Sequence, residues 1–293
     1  MMKVDKQRLT SLGVGLSFRP EIADQLYDCV EDVDCMEIIL DTVLAGLIDQ
    51  RFWTLVADRV PILGHGVELS IGSLGEVNAA HIGSLAGMAA QMRCPWFSEH
   101  LAFTHSDDVE VGQLTPLQFT ESNADFIARK IRVASEMLGV PLLIENIAYY
   151  FPIPGATMTE CDFITRILDL AGCGMLLDVH NVYANSINHG YDARRFIDRL
   201  PAAAVVEIHV AGGAWKGDLY LDSHGHEVPP EVLDLVEYSV ATKEPRAVIL
   251  EREKNFPSTE ALVAEVKELR KIWCKYQGPS TRIAMAGASR RKL

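Results

Sequence analysis

Eight short, nearly continuous apolar runs punctuate the sequence, and a segment of helical periodicity follows each. They are LGVGLSF (12–18), DCMEIIL (34–40), PILGHGVELS (61–70), PWFSEHLAF (95–103), PLLIENI (141–147), GMLLDVHNVY (174–183), AAVVEIHVAG (203–212) and AVILERE (247–253). Strands that are apolar along their whole length are buried on both faces, the signature of a parallel sheet covered by helices. Eight such units select a single closed (β/α)8 TIM-like barrel over an open doubly wound sheet. No glycine-rich dinucleotide fingerprint follows the first run, which also argues against the open sheet. A length of 293 residues is within the range of one α/β barrel. The barrel is expected over residues 1–277, with GPSTRIAMAGASRRKL (278–293) as a flexible C-terminal tail. Thr115-Pro116 is expected to open the long helix after the fourth strand, and KGDLYLDSHGHEV reads as a polar loop.

The ends of these strands carry the chemistry. PLLIENI runs through apolar residues and stops on Glu145 and Asn146, and GMLLDVHNV stops on Asp178, His180 and Asn181. Burying carboxylates and imidazoles without partners costs several kcal/mol, so such tips imply something positive held between them. The other strands repeat the pattern: His65 after the third, Glu99 and His100 in the fourth, His209 in the seventh, Asp222 and His224 in the next loop, Glu251 in the eighth. The glycines around His65 imply a close backbone approach. In a closed barrel the C-terminal tips converge on one mouth, where active sites of this architecture lie. Several histidines and carboxylates face to face, with few cationic residues among them, call for a metal. Imidazole plus carboxylate without cysteine suits iron, manganese, cobalt or catalytic zinc. Four histidines (His65, His100, His209, His224) and four carboxylates (Glu145, Asp178, Asp222, Glu251) exceed the needs of one ion, and imply two or three sharing bridging carboxylates. Glu99 has the opposite strand parity from His100, and an ion pair to a covering helix is expected for it.

Composition narrows the partners. A net charge of -13 argues against nucleic acid, whose phosphates are gripped by clustered Lys and Arg. The one basic run, SRRKL, ends the chain. Six cysteines without CxxC or framework spacing, and no signal peptide, fit a reduced cytoplasm. The longest apolar stretches are strand-length, so none spans a membrane.

The motifs HGVELSIGS, SEHLAF, LLIENI, LLDVHNVYANSINHG, EIHVAGG, LDSHGHEVP and ILERE, in this order from residue 65 to 253, resemble the DUF692 or UPF0276 family. These are multinuclear non-haem iron-dependent oxidative enzymes that include the oxidase subunit of methanobactin synthesis. The resemblance implies a TIM-like barrel holding two or three irons of mixed Fe(II)/Fe(III) valence, with O2 as cosubstrate. It makes His65 and His100 imidazole ligands and Glu145 a bridging carboxylate; Asp178, His209 and Glu251 ligate the neighbouring iron, and Asp222 and His224 serve a third position. Relatives often carry His where this chain has Gly213, and many have Asn in place of His180; Asn181 or His180 completes the third position. Glu145, Asp178, His180 and Asn181 are thus the expected catalytic group. The substrate implied is a ribosomally synthesised precursor peptide, brought by a small leader-binding partner protein and oxidised at a residue such as cysteine by hydrogen abstraction from the β-carbon. Asn146 and Asn185 are candidates for holding substrate or water, and Trp215 and Tyr220 for lining a peptide groove.

Two competing readings stand beside this one. A divalent-metal sugar isomerase or trinuclear-zinc endonuclease would use a similar barrel, but the acidic charge disfavours the nuclease and the strand ends offer the isomerase no lysine. A metal-loaded scaffold or chaperone would bind ions without turnover.

Overall fold

The computed structural model describes residues 3–106 and 109–279. Eight parallel strands close into a barrel: β1 (Gly13–Ser17), β2 (Cys35–Ile39), β3 (Ile62–Gly66), β4 (Phe97–His100), β7 (Leu142–Glu145), β8 (Gly174–Asp178), β9 (Val205–Val210) and β12 (Ala247–Leu250), with β1 pairing to β12 to seal it. Two antiparallel hairpins, β5 (Phe103–Ser106) with β6 (Val109–Thr115) and β10 (Ala214–Lys216) with β11 (Leu219–Leu221), stand on the loops after β4 and β9. The helices are α1 (Ala23–Asp28), α2 (Leu40–Leu44), α3 (Ala79–Met92), α4 (Glu121–Leu138), α5 (Glu160–Ala171), α6 (Val179–His189), α7 (Ala193–Arg199), α8 (Pro230–Lys243) and α9 (Thr259–Gln277). The (β/α)8 expectation holds. The tail from 280 onward lies outside the described residues.

The period of two along each strand sorts the core into layers. Outward-facing residues such as Met36, Ile38, Phe97, Ile144, Leu177, Ile208 and Leu250 pack under the helices. Inward-facing Cys35, Leu63, Trp96, Leu143, Leu176 and Ile249 form a separate apolar plug within the barrel. Two residues further along, on the same face, stand Glu37, His65, Ser98, Glu145, Asp178 and Glu251, every one of them buried. The strand pleat thus carries the polar layer directly above the plug, at the C-terminal mouth.

Helix starts are set by side-chain caps. Thr120 accepts from the Asn123 amide and opens α4 five residues after the expected Thr115, because Thr115 ends β6 and leaves an extended link before the cap. Asp178 ends β8 and caps α6, accepting from the Asn181 amide at 2.6 Å. The strand expected over 174–183 therefore stops at Asp178, and His180 and Asn181 sit in the first helical turn. The loop read as polar and irregular contains the β10–β11 hairpin, whose two-residue link starts with Gly217 at φ +61°.

Candidate metal centre

Cross-strand register brings the inward residues together. His100 lies opposite Glu145, and Asp178 opposite His209. Three groupings hold the expected ligands, with one ligand atom per residue within 4.8 Å of the others: His65, His100 and Glu145; Glu145, Asp178, His209 and Glu251; and His180, Asp222 and His224; Glu37, Glu207 and His209 form a further one. Glu145 belongs to two of them. Its Oε2 faces His65 Nε2 at 3.6 Å and His100 Nε2 at 3.3 Å, while Oε1 faces His209 Nδ1 at 3.4 Å. Glu251 Oε2 lies 3.0 Å from His209 Nδ1 and 3.5 Å from His224 Nδ1, and Asp222 Oδ1 lies 3.0 Å from His180 Nδ1 and 2.6 Å from His224 Nε2. All eight residues expected as ligands are thus brought to one mouth, with His180 joining Asp222 and His224. His224 takes a left-handed backbone, φ 47°, that turns its ring between the second and third groupings.

The distal ring nitrogens are occupied. Ser98 Oγ meets His65 Nδ1 at 2.8 Å, the Gly66 carbonyl meets His100 Nδ1 at 3.1 Å, and Glu37 meets His209 Nε2 at 3.0 Å. The inward-facing atoms are not: Glu145 Oε2, Asp178 Oδ2, His209 Nδ1, His180 Nε2 and both ring nitrogens of His224 are buried without a hydrogen-bond partner. Buried polar groups are almost always satisfied, so a cluster of orphans aimed at common points fits a divalent or trivalent metal.

Ionisation shows the same conflict. Burial, then the Glu145 and Asp222 carboxylates, drives the Asp178 carboxyl well above its ordinary range. Burial opposes the charging of His209 and His224, but the surrounding carboxylates outweigh it and raise both. Burial also acts on His100, yet chiefly Glu145 pushes it up to about 9. His65 is held well below its ordinary value by burial and by the neighbouring His100 and His209. Cations at the shared points relieve the carboxylate repulsion that protons relieve here.

Three buried charged groups escaped the sequence reading. Arg19, which closes β1, ion-pairs with Glu251 Oε1 at 3.0 Å and Glu253 Oε1 at 2.9 Å, leaving Glu251 Oε2 for the centre. Glu37 lies mid-strand under His209, and Glu207 accepts from Trp96 Nε1 at 2.8 Å. The signal was available: Glu207 shares the parity of His209, and Glu37 that of Cys35.

Other residues fall in different roles from those expected. Glu99 makes no helix ion pair; it accepts from the Leu69 amide at 3.1 Å and the His100 amide at 2.8 Å, bracing the loop after β3. A Cβ on Gly66 would lie 2.7 Å from this carboxylate, which is the close approach the glycines implied. Asn146 bonds both the amide and the carbonyl of Asp178, Asn185 bonds the Tyr149 amide and the Ile147 carbonyl, and Asn181 Nδ2 bonds the Asn146 carbonyl. These amides tie β7 to β8 and α6; Asn181 Oδ1 alone stays unpartnered. Tyr220 is buried against the His180 ring and Trp215, and Trp215 is exposed. Gly213 has no room for a side chain, since a Cβ there would lie 2.3 Å from the Leu221 carbonyl and 2.7 Å from His180 Nε2.

Fold and site together define a (β/α)8 barrel with a histidine–carboxylate constellation at its C-terminal mouth. The model of the RiPP precursor modification enzyme family MbnB/TglH/ChrH matches residues 13–274. A UPF0276 protein of Streptomyces avermitilis is 34% identical over 270 residues, 90% of this chain and 55% of that protein, so the chain spans about half the length of that relative. A UPF0276 protein of Rhizorhabdus wittichii is 33% identical over 260 residues, 88% of this chain and 93% of that one. The chain belongs to this family. Among solved structures, the apo 3-keto-D-glucoside 4-epimerase YcjR of E. coli is similar in fold, with TM-score 0.57, 11% identity and coverage of 89% and 99% of the two chains.

Proposed function

We propose that this protein is an O2-dependent, multinuclear iron enzyme that oxidises a residue, cysteine in the first instance, of a ribosomally synthesised precursor peptide presented by a small leader-binding protein. Membership in a family of RiPP precursor modification enzymes supports the substrate class. The observation that carries the reading is Glu145, whose two oxygens face two different ligand groupings. When bound, iron would supply O2 binding and one-electron chemistry that protein side chains lack.

The chain's own groups do the rest. His65, His100 and Glu145 would hold one ion, Glu145, Asp178, His209 and Glu251 a second, and His180, Asp222 and His224 a third. The second set brings three carboxylates and suits a trivalent ion, whereas one carboxylate with two imidazoles suits a divalent one. Arg19 holds Glu251 in place by taking its other oxygen. The apolar plug fills the barrel beneath these groups.

The test is to load the protein with Fe(II) without air, add cysteine-bearing candidate precursor peptides together with a leader-binding protein, admit O2 and weigh the peptide. An iron- and O2-dependent mass change is expected. An unchanged peptide, with epimerisation of a ketose by the manganese-loaded protein, would replace this reading with the sugar isomerase one.

A further inference from the structure

The imidazoles of the first two groupings are oriented by unlike partners. His65 and His100 meet a neutral hydroxyl and a carbonyl on Nδ1 at hydrogen-bond distance, with carboxylates farther off (Glu37 Oε2 at 3.9 Å and Glu99 Oε1 at 3.6 Å), and so turn Nε2 inward. His209 is reversed: Nε2 points down the barrel to Glu37 Oε2 at 3.0 Å, and Nδ1 is the atom left facing Glu145 and Glu251. Glu37 is completely buried, and its second oxygen has no partner. An aliphatic side chain would fill this position in the barrel interior without that desolvation penalty. A carboxylate here is accounted for by what it does to His209. A histidine ligand that donates its other N–H to a carboxylate is held in one tautomer and one ring orientation and is made a stronger donor.

We infer that Glu37 is a positioning residue of the centre: it keeps the proton of His209 on Nε2 and presents Nδ1 to the grouping with Glu145, Asp178 and Glu251. Because His209 is the only imidazole in that grouping, one contact beneath the ligands sets the geometry of the most carboxylate-rich position. The inference rests on the metal-centre reading and not on the peptide chemistry.

The experiment uses neither peptide nor O2. Wild type, Glu37→Gln and Glu37→Leu are titrated with Co(II), the bound metal is counted by mass spectrometry, release to a chelator is timed, and the histidine nitrogens of the Zn(II)-loaded protein are read by 15N NMR. In Zn(II)-loaded wild type His209 is expected to be metallated through Nδ1 and to keep its proton on Nε2. Glu37→Leu is expected to lose one ion, or to release it 10- to 100-fold faster, with an altered visible spectrum. Its metal-free melting temperature should fall, because the buried His209 N–H loses its acceptor. Glu37→Gln, which keeps an accepting oxygen, should retain the ion. A merely structural role predicts that lower metal-free melting temperature too, but with the full metal complement and an unchanged Co(II) spectrum. That outcome overturns the inference. So does equal loss of metal in both variants, and so does a Zn(II)-loaded wild type in which His209 is metallated through Nε2, which needs no variant to fold. If wild type itself takes up no Co(II), the metal-centre reading fails and this inference fails with it; intact cobalt sites without peptide oxidation leave Glu37's role standing and refute only the proposed reaction.

Discussion

Glu145→Gln separates a bridging carboxylate from a structural ion pair, because the two predict different effects with and without metal. The carboxamide keeps the shape but loses the charge and one ligating oxygen, and Glu145 takes part in two of the three groupings. Bound metal is therefore expected to fall by two ions per chain, leaving the His180, Asp222 and His224 position filled. A site saturated at 100 times its Kd adds about 2.7 kcal/mol to folding stability, so two lost sites forfeit about 5 kcal/mol of metal-dependent stabilisation. For a chain of this size that is a metal-induced rise in Tm smaller by roughly 10 °C. In metal-free protein the two contributions oppose each other: removing the Glu145 charge relieves its repulsion with Asp178 but forfeits the attraction that raises His100 and His209, so the change in Tm should be small. Calorimetry with and without Fe(II), beside metal counting on the same samples, reads both quantities. Retention of all the metal, or loss of one ion with a lower metal-free Tm, would refute the bridge and leave Glu145 as the ion-pair partner of His65 and His100.

Asp222→Asn and His224→Ala should each remove mainly one ion, counted by mass spectrometry; loss of all three would mean that the groupings do not fill separately. Gly213→Ala puts a Cβ 2.3 Å from a backbone carbonyl that cannot yield cheaply, so destabilisation of about 1–3 kcal/mol in urea melts is expected, together with weaker metal retention at the His180 position. Glu160, buried beside Tyr149, has its carboxyl pushed up to about 8, chiefly by burial. The folded state prefers the neutral acid, so wild type should lose stability as pH rises from the ordinary glutamate range toward 8, by at most about 1.4 kcal/mol per pH unit. Glu160→Gln should flatten that slope; parallel slopes in the two proteins would mean that Glu160 is solvated in solution.

The barrel and the clustering of candidate ligands at its mouth were legible because they follow from local periodicity. A strand apolar on both faces can be read from the sequence, and so can a histidine or carboxylate at its end. What stayed hidden depends on which element a residue enters next. His180 and Asn181 continue the apolar run of β8, yet Asp178 turns its side chain back to cap the following amide, and a helix begins where a strand was expected. Asn146, Asn181 and Asn185 have the composition of substrate-binding residues, and their hydrogen bonds are spent on backbone between β7, β8 and α6. Arg19 is 232 residues from Glu251 in sequence, and only closure of β1 against β12 makes them neighbours.

The charged residues inside the strands carry the more general lesson. Glu37 and Glu207 interrupt runs that read as pure core, and such interruptions are expensive unless something specific offsets them. In this barrel each makes one hydrogen bond: Glu37 accepts from His209 in the polar layer, and Glu207 accepts from Trp96 in the apolar plug. A variant separates the two. Trp96→Phe leaves Glu207 without its donor but does not touch the His209–Glu37 contact, so metal content should hold while folding stability falls by about 1–3 kcal/mol for the orphaned carboxyl. Loss of metal in that variant would show that the two carboxylates act as one unit beneath the centre, and that Glu37 alone does not set His209.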